Sequence, residues 1–212
     1  MAHTDAAAFQ KATNVSRETL DRLAAYEALL LKWQKTINLV GPSTLNDVWG
    51  RHFLDSAQLF PLIPESARVL VDLGSGAGFP GLVLAILGVP EVHLIESDAR
   101  KAAFLREAAR ATGATATVHN KRIEAVAPFP ADVVTARALA PVNDLLNWAQ
   151  PFLGTEATAL FLKGQNVEDE LTNTTKYWKM RTERFDSVTD PKGCILRLSG
   201  IAPSENRIQR PA

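Results

Sequence analysis

A single cysteine among 212 residues, Cys194, leaves no internal disulfide and no thiolate cluster for zinc or an iron–sulfur centre. Its apolar neighbours give it a packing role. No apolar run approaches the roughly 20 residues that cross a bilayer, and the opening MAHTDAAAFQKATN lacks the apolar core of a secretory signal. The expected location is cytoplasmic, with no membrane partner and no metal. Charge of one sign is also missing, because Lys plus Arg equals Asp plus Glu at 23 each. That excludes a global positive field for gathering nucleic acid. The balance is uneven, however: residues 176–212 hold eight cations (Lys176, Lys179, Arg181, Arg184, Lys192, Arg197, Arg207, Arg210) against four anions, leaving 15 and 19 for residues 1–175. A solvated charged face accounts for so modest an excess, with a local phosphate patch as the second reading.

What is present fits one α/β domain with a sizeable core and an N-terminal extension. Residues 1–15 are polar and alanine-rich and read as a flexible tail. Ser16 is a good N-cap with Glu18 in the first turn, and Leu20, Leu23, Ala24, Leu30, Leu31 and Ile37 follow at helical spacing. Gly41-Pro42 ends that helix, and Ser43 or Thr44 caps a second one to about Phe60. Residues 16–64 thus form a helical cap. From 65 to 212 strand and helix signals alternate: RVLVDL (68–73), a helix over 79–87, VHLIE (92–96), a helix from Ser97 or Asp98 to Gly113, TATVH (115–119), ADVVTARA (131–138), a helix after Pro141, ATALFL (157–162) and Cys194–Leu198. Regular alternation of this kind gives a doubly wound, mostly parallel sheet.

In such sheets the ligand crevice lies beyond the carboxyl ends of the strands, and VLVDLGSGAGFPG crosses that edge. Gly74, Gly76 and Gly78 let the backbone turn sharply and a ligand approach closely. The loop is a cofactor cradle in form, but Gly76-x-Gly78-x-x-Gly81 also satisfies the dinucleotide fingerprint. Asp72, before the first glycine, would oppose a pyrophosphate and suit the cationic end of an amino-acid-like donor such as S-adenosylmethionine. Glu96, closing the second strand, can accept from ribose hydroxyls in either case.

With its flanking segments, the chain resembles the RsmG (GidB) family of 16S ribosomal RNA methyltransferases. The likeness is carried by KWQKTINLVGPSTLNDVWGRHFLDS (32–56), DLGSGAGFPGL, TARALA (135–140) and FLKG (161–164), covering roughly residues 20 to 165. It implies a Rossmann-like class I methyltransferase, a seven-stranded sheet with an N-terminal helical cap, and methyl transfer from S-adenosylmethionine to N7 of a guanine in the 530 loop, leaving S-adenosylhomocysteine. The expected partner is 16S rRNA within a small-subunit assembly, met by a monomer. The resemblance places donor contacts at Gly74, Phe79, Ile123, Glu124 and Arg137, beside Asp72, Gly76, Gly78 and Glu96. Glu124 is equally well read as a helix cap. Arg137 can hold the donor carboxylate or an RNA phosphate.

Guanine N7 carries a lone pair and no proton, so a site without an acid–base pair suits it, and catalysis rests on positioning. Positioning candidates are Arg137, Lys163 and His52; RNA-contact candidates are Asn38, Arg51, Lys163 and Arg197. His52, Asp55 and Ser56 share a helix face at i, i+3 and i+4, with Arg51 able to pair with Asp55; local bonding that fixes the cap is favoured over a proton relay. Trp33, Trp49 and Trp148 read as core. Two rival functions remain: an NAD(P)-dependent oxidoreductase, from the overlapping glycine fingerprint, and a non-catalytic ribosome-assembly factor, from the basic C-terminal bias.

Overall fold

The computed structural model describes residues 4–205. In chain order the elements are α1 (Ala6–Thr13), α2 (Arg17–Gln34), short 3₁₀ and π turns from Pro42 to Leu54, α3 (Asp55–Ala57), β1 (Val69–Leu73), α4 (Gly81–Leu87), β2 (Glu91–Ile95), α5 (Ala99–Thr112), β3 (Ala116–His119), β4 (Ala131–Arg137), α6 (Val142–Ala149), β5 (Leu153–Lys163), α7 (Val167–Thr174), β6 (Trp178–Asp186) and β7 (Cys194–Pro203). One seven-stranded sheet has the order β3-β2-β1-β4-β5-β7-β6. All pairings are parallel except those of β7 with β5 and β6. The chain therefore has a Rossmann-like, doubly wound and mostly parallel sheet, as the βα alternation leads one to expect, with β7 inserted antiparallel between β5 and β6.

Two apolar layers flank the sheet. One packs α2, α4 and α5 against Leu70, Val92 and Leu94; the other packs α6 against Val71, Val134 and Phe161. The strands buried on both faces are the ones whose sequences are nearly continuous in apolar residues. No described helix is long and apolar enough to cross a membrane. Of the basic C-terminal residues, Arg207 and Arg210 lie outside the described residues.

Three features differ from the sequence expectation. Residues 4–15 are not a free tail: Asp5 caps α1 by accepting from the amide of Ala8 at 2.8 Å, and Phe9 is fully buried edge-on to Trp49. One aromatic anchor is enough to dock a short helix, because burying it stabilises by roughly 1.5–3 kcal/mol. The single helix expected from Ser43 to Phe60 is instead a 3₁₀ turn (Pro42–Asp47), a π turn (Trp49–Leu54) and a single α turn. The Asp47 carboxylate accepts from the amides of Gly50 and Thr4, competing with regular helix bonds; a Cβ at Gly50 would lie 2.6 Å from that carboxylate. Finally, α7 and β6 lie where the sequence pattern shows no element. The β6 sequence WKMRTERFD carries five charged residues in nine, as an exposed edge strand does.

The cap is fastened to the main domain by polar struts. Arg22 donates to the carbonyls of Thr112 (2.6 Å), Gly113 (3.2 Å) and Ile86 (3.3 Å), closing the C-terminal ends of α5 and α4. Trp33 donates to Glu107 at 3.1 Å. Tyr26, fully buried, donates its hydroxyl to the carbonyl of Ala77 in the glycine loop.

Candidate active site

The glycine loop runs from the end of β1 to the start of α4 and is stitched to β2. The amide of Ser75 donates to the carbonyl of Ile95 at 2.9 Å, and the amide of Gly76 donates to Glu96 Oε2 at 2.8 Å. The other oxygen of Glu96 accepts from the amide of Asp98 at 2.7 Å, so one nearly buried carboxylate ties the loop to the start of α5. The glycines do different work. Gly76 has φ +57°, and a Cβ there would have only the Gly74 carbonyl oxygen nearby, at 3.9 Å, so the backbone lies bare toward the crevice. A Cβ at Gly78 would lie 2.5 Å from the Tyr26 hydroxyl, and one at Gly81 2.5 Å from Leu94. Those two glycines serve close packing of cap and helix.

The crevice above the loop encloses about 360 Å³ and is bordered by Gly74, Gly76, Glu96, Ile123, Glu124 and Arg137. Six of the nine residues expected at the donor line it. The other three, Asp72, Gly78 and Phe79, lie beneath it. Asp72 is fully buried, with Oδ1 accepting from the Thr135 hydroxyl at 2.7 Å and Oδ2 lacking a well-formed hydrogen bond. Burial raises its pKa to about 6, partly offset by Thr135, Ser75, Gly81 and Arg137. It braces the strand end rather than facing the crevice. Phe79 is buried between Tyr26 and His52, its ring 5.4 Å and 4.8 Å from theirs.

Arg137, at the end of β4, is the hub. Nη1 lies 3.1 Å from Asp55 Oδ2 and 3.3 Å from the carbonyl of Arg51, Nη2 lies 3.2 Å from His52 Nδ1, and the guanidinium sits 4.9 Å over the Phe79 ring. A guanidinium can only donate, so His52 Nδ1 must be the acceptor. Nε2 then carries the hydrogen and donates to Thr44 Oγ1 at 2.8 Å, which in turn donates to the carbonyl of Gly41 at 2.7 Å. Burial, then Arg137 and Arg51, lower the His52 pKa to about 3. The imidazole is neutral and its lone pair is engaged, which leaves it no role as a base. The expected pairing of Arg51 with Asp55 is replaced: Asp55 holds Arg137 and the Thr189 hydroxyl (2.6 Å), while Arg51 reaches Asp190 at 3.9 Å.

A second cavity of about 360 Å³ opens on the other side of Arg137 and Ala138, between the cap and the turn joining β6 to β7. Ala138 has φ +50°, a strained conformation for a residue with a Cβ.

The pattern of the rRNA small subunit methyltransferase G (GidB) family matches residues 19–194. The chain belongs to this family. The ribosomal RNA small subunit methyltransferase G of Rhodospirillum centenum is 68% identical over 195 residues, covering 92% of this chain and 90% of that protein. Among solved structures, M. jannaschii TYW2 in complex with AdoMet has a TM-score of 0.57 at 15% identity, over 74% of this chain and 81% of that one. A putative O-methyltransferase from Klebsiella pneumoniae has a TM-score of 0.57 at 14% identity, over 90% and 93%. Family membership sets aside the oxidoreductase reading of the glycine fingerprint.

Two of this family member's expected RNA contacts are engaged within the protein. Lys163 is nearly buried, 2.6 Å from Glu170 and 2.8 Å from the carbonyl of Ala140. Arg197 forms a forked pair with Glu183, both bonds 2.8 Å. Asn38 is exposed in the loop after α2, where Gln34 donates to it at 3.4 Å. Leu139, Lys121, Arg122 and Trp148 also line the crevice above the glycine loop, and Asp190 and Ser187 line the second cavity. The adjacent cations Lys121-Arg122 before Ile123 were a signal of sorts. Asp190-Pro-x-Gly consists of turn formers and carries no signal of a ligand.

Proposed function

We propose that the protein transfers a methyl group from S-adenosylmethionine to N7 of a guanine in the 530 loop of 16S rRNA, acting as a cytoplasmic monomer on a small-subunit assembly. The carrying observation is family membership over 19–194 combined with a site whose imidazole is fixed as a neutral acceptor. The crevice suits the donor. Gly76 offers open backbone, Glu96 a carboxylate at ribose level, and Ile123 an apolar surface for an adenine ring beside Glu124. When bound, S-adenosylmethionine supplies an electrophilic methyl group on a sulfonium.

The chain's own residues contribute position and electrostatics. Asp55 and His52 hold the Arg137 guanidinium at the boundary between the two cavities, and Tyr26 and Phe79 brace the loop from below. N7 has no proton to lose, so a site without a free base is sufficient and holding the reacting groups in line becomes the main task. Small subunits from a strain lacking the gene, incubated with the protein and donor and mapped by mass spectrometry, should gain 7-methylguanine in the 530 loop. An unmodified loop, with the protein still binding to subunits, would leave the assembly-factor reading in its place.

A further inference from the structure

The geometry points to the second cavity as the seat of one extruded guanine, with Asp190 as the residue that reads its Watson–Crick edge. This rests on the methyl-transfer reading above and adds to it a specificity determinant. Volume is the first ground: about 360 Å³ lies within the range of small-ligand sites but cannot admit a duplex. Position is the second. Arg137 and Ala138 border both this cavity and the donor crevice, so a group seated here lies next to whatever the crevice presents.

The chemistry of the lining is the third. Guanine offers two adjacent donors, N1–H and the N2 amino group, and beside them the O6 acceptor. A carboxylate with a free oxygen and a neighbouring cation complement that edge, whereas adenine places an acceptor where guanine has N1–H. Asp55 is already saturated by Arg137, Thr189 and Gln58. Asp190 is not. Its Oδ1 accepts from the amide of Lys192 at 3.0 Å, while Oδ2 has only Arg51 Nη1 at 3.9 Å, too long for a hydrogen bond. Both side chains are about 40% exposed, at 43% and 40%. The turn that carries Asp190 is fixed in advance. Its amide donates to Ser187 Oγ at 3.2 Å, Gly193 donates to its carbonyl at 2.9 Å, and Gln58 and Asp55 of the cap grip Ser187 and Thr189 at 3.2 and 2.6 Å. Reading the N1–N2 edge leaves N7, on the opposite side of the purine, uncovered for methylation, and Arg51, whose Nη1 donates to the Thr189 carbonyl at 3.4 Å, has further N–H groups to offer O6.

The test uses small subunits reconstituted with either guanosine or inosine at the target position; inosine keeps N1–H and lacks the N2 amino group. Wild-type kcat/KM should fall about 10-fold on inosine, and Asp190→Ala should lose about 10- to 100-fold on guanosine while becoming indifferent to the exchange. Asp190→Asn, which keeps an oxygen for the Lys192 amide, guards against a loosened turn and should lose as much as the alanine variant. Affinity for S-adenosylhomocysteine should be unchanged in both. Wild-type efficiency of either variant on guanosine, or the same inosine penalty in variant and wild type, would overturn the assignment of Asp190. Failure of wild type to methylate guanosine subunits at all would overturn the function reading itself.

Discussion

Replacing Tyr26 by phenylalanine removes one oxygen from the interior and nothing from the aromatic stack. The ring stays 5.4 Å from both Phe79 and Phe53, so apolar packing is preserved. What disappears is the donor to the Ala77 carbonyl, in the middle of the glycine loop. Burial holds the tyrosine pKa well above its ordinary value, so that donor is present across the working pH range and its loss should be felt throughout. Depriving a buried acceptor of its partner costs about 1–3 kcal/mol. For a protein of this size that lowers the melting temperature by roughly 2–4 °C per kcal/mol. Part of the cost falls on the ordered loop, so S-adenosylhomocysteine should bind more weakly by about 1 kcal/mol, roughly fivefold. Differential scanning calorimetry and isothermal titration of the same preparations read both quantities. Gly78→Ala sharpens the test: its Cβ would meet the Tyr26 hydroxyl at 2.5 Å, an obstacle absent in the Tyr26→Phe background, while the φ of +95° penalises alanine in either. The two substitutions should therefore be less than additive. An unchanged melting point together with unchanged ligand affinity in Tyr26→Phe would refute the idea that the cap holds the loop.

Other outcomes follow from the same interior. Phe9→Ala should cost about 3–5 kcal/mol in urea unfolding, the penalty of emptying a fully buried aromatic site; a free tail would lose nothing. His52, lowered to about 3 from 6.5, makes stability highest above pH 6.5 and reduces it as pH falls toward 3, because the unfolded chain takes up the proton first. Asp72, raised to about 6, acts in the opposite sense, since the folded state binds its proton first and burial of the charge penalises folding above that pH. Asp72→Asn should therefore raise stability at pH 7, by up to about 3 kcal/mol, and steepen the acid limb seen in pH-dependent unfolding. Arg197→Ala should leave the KM for small subunits and its salt dependence nearly unchanged, since the guanidinium is committed to Glu183; a reduced salt slope would restore it as a phosphate contact.

The central strands were legible because burial on both faces demands apolar runs, and VLVDL, VHLI and ADVV have nothing else to offer a parallel sheet. Helix starts were legible where a side chain supplies the cap, as Ser16 and Asp98 do. Legibility failed where tertiary contacts override local pattern. The 43–60 segment has helical spacing, yet Asp47 takes over the bonds around Gly50, so His52 and Asp55 meet a partner 82 or more residues away in place of each other. The glycine loop could be read from its sequence, but whether a glycine opens onto the crevice, as Gly76 does, or meets a tyrosine, as Gly78 does, depends on what the cap places there. Lys163 and Arg197 looked like free cations because their carboxylate partners are neighbours only after folding.

Arg137 and Ala138 belong to the linings of both cavities, and a shared border makes the two occupants thermodynamic neighbours. Whatever factor a filled crevice contributes to the affinity for RNA, RNA must return to the affinity for the crevice's ligand, because the cycle of four states closes. The protein groups that both occupants share are the guanidinium that Asp55 and His52 restrain and the strained backbone of Ala138 beside it. Release of the demethylated donor and release of RNA would then be two linked equilibria, each shifted by the other.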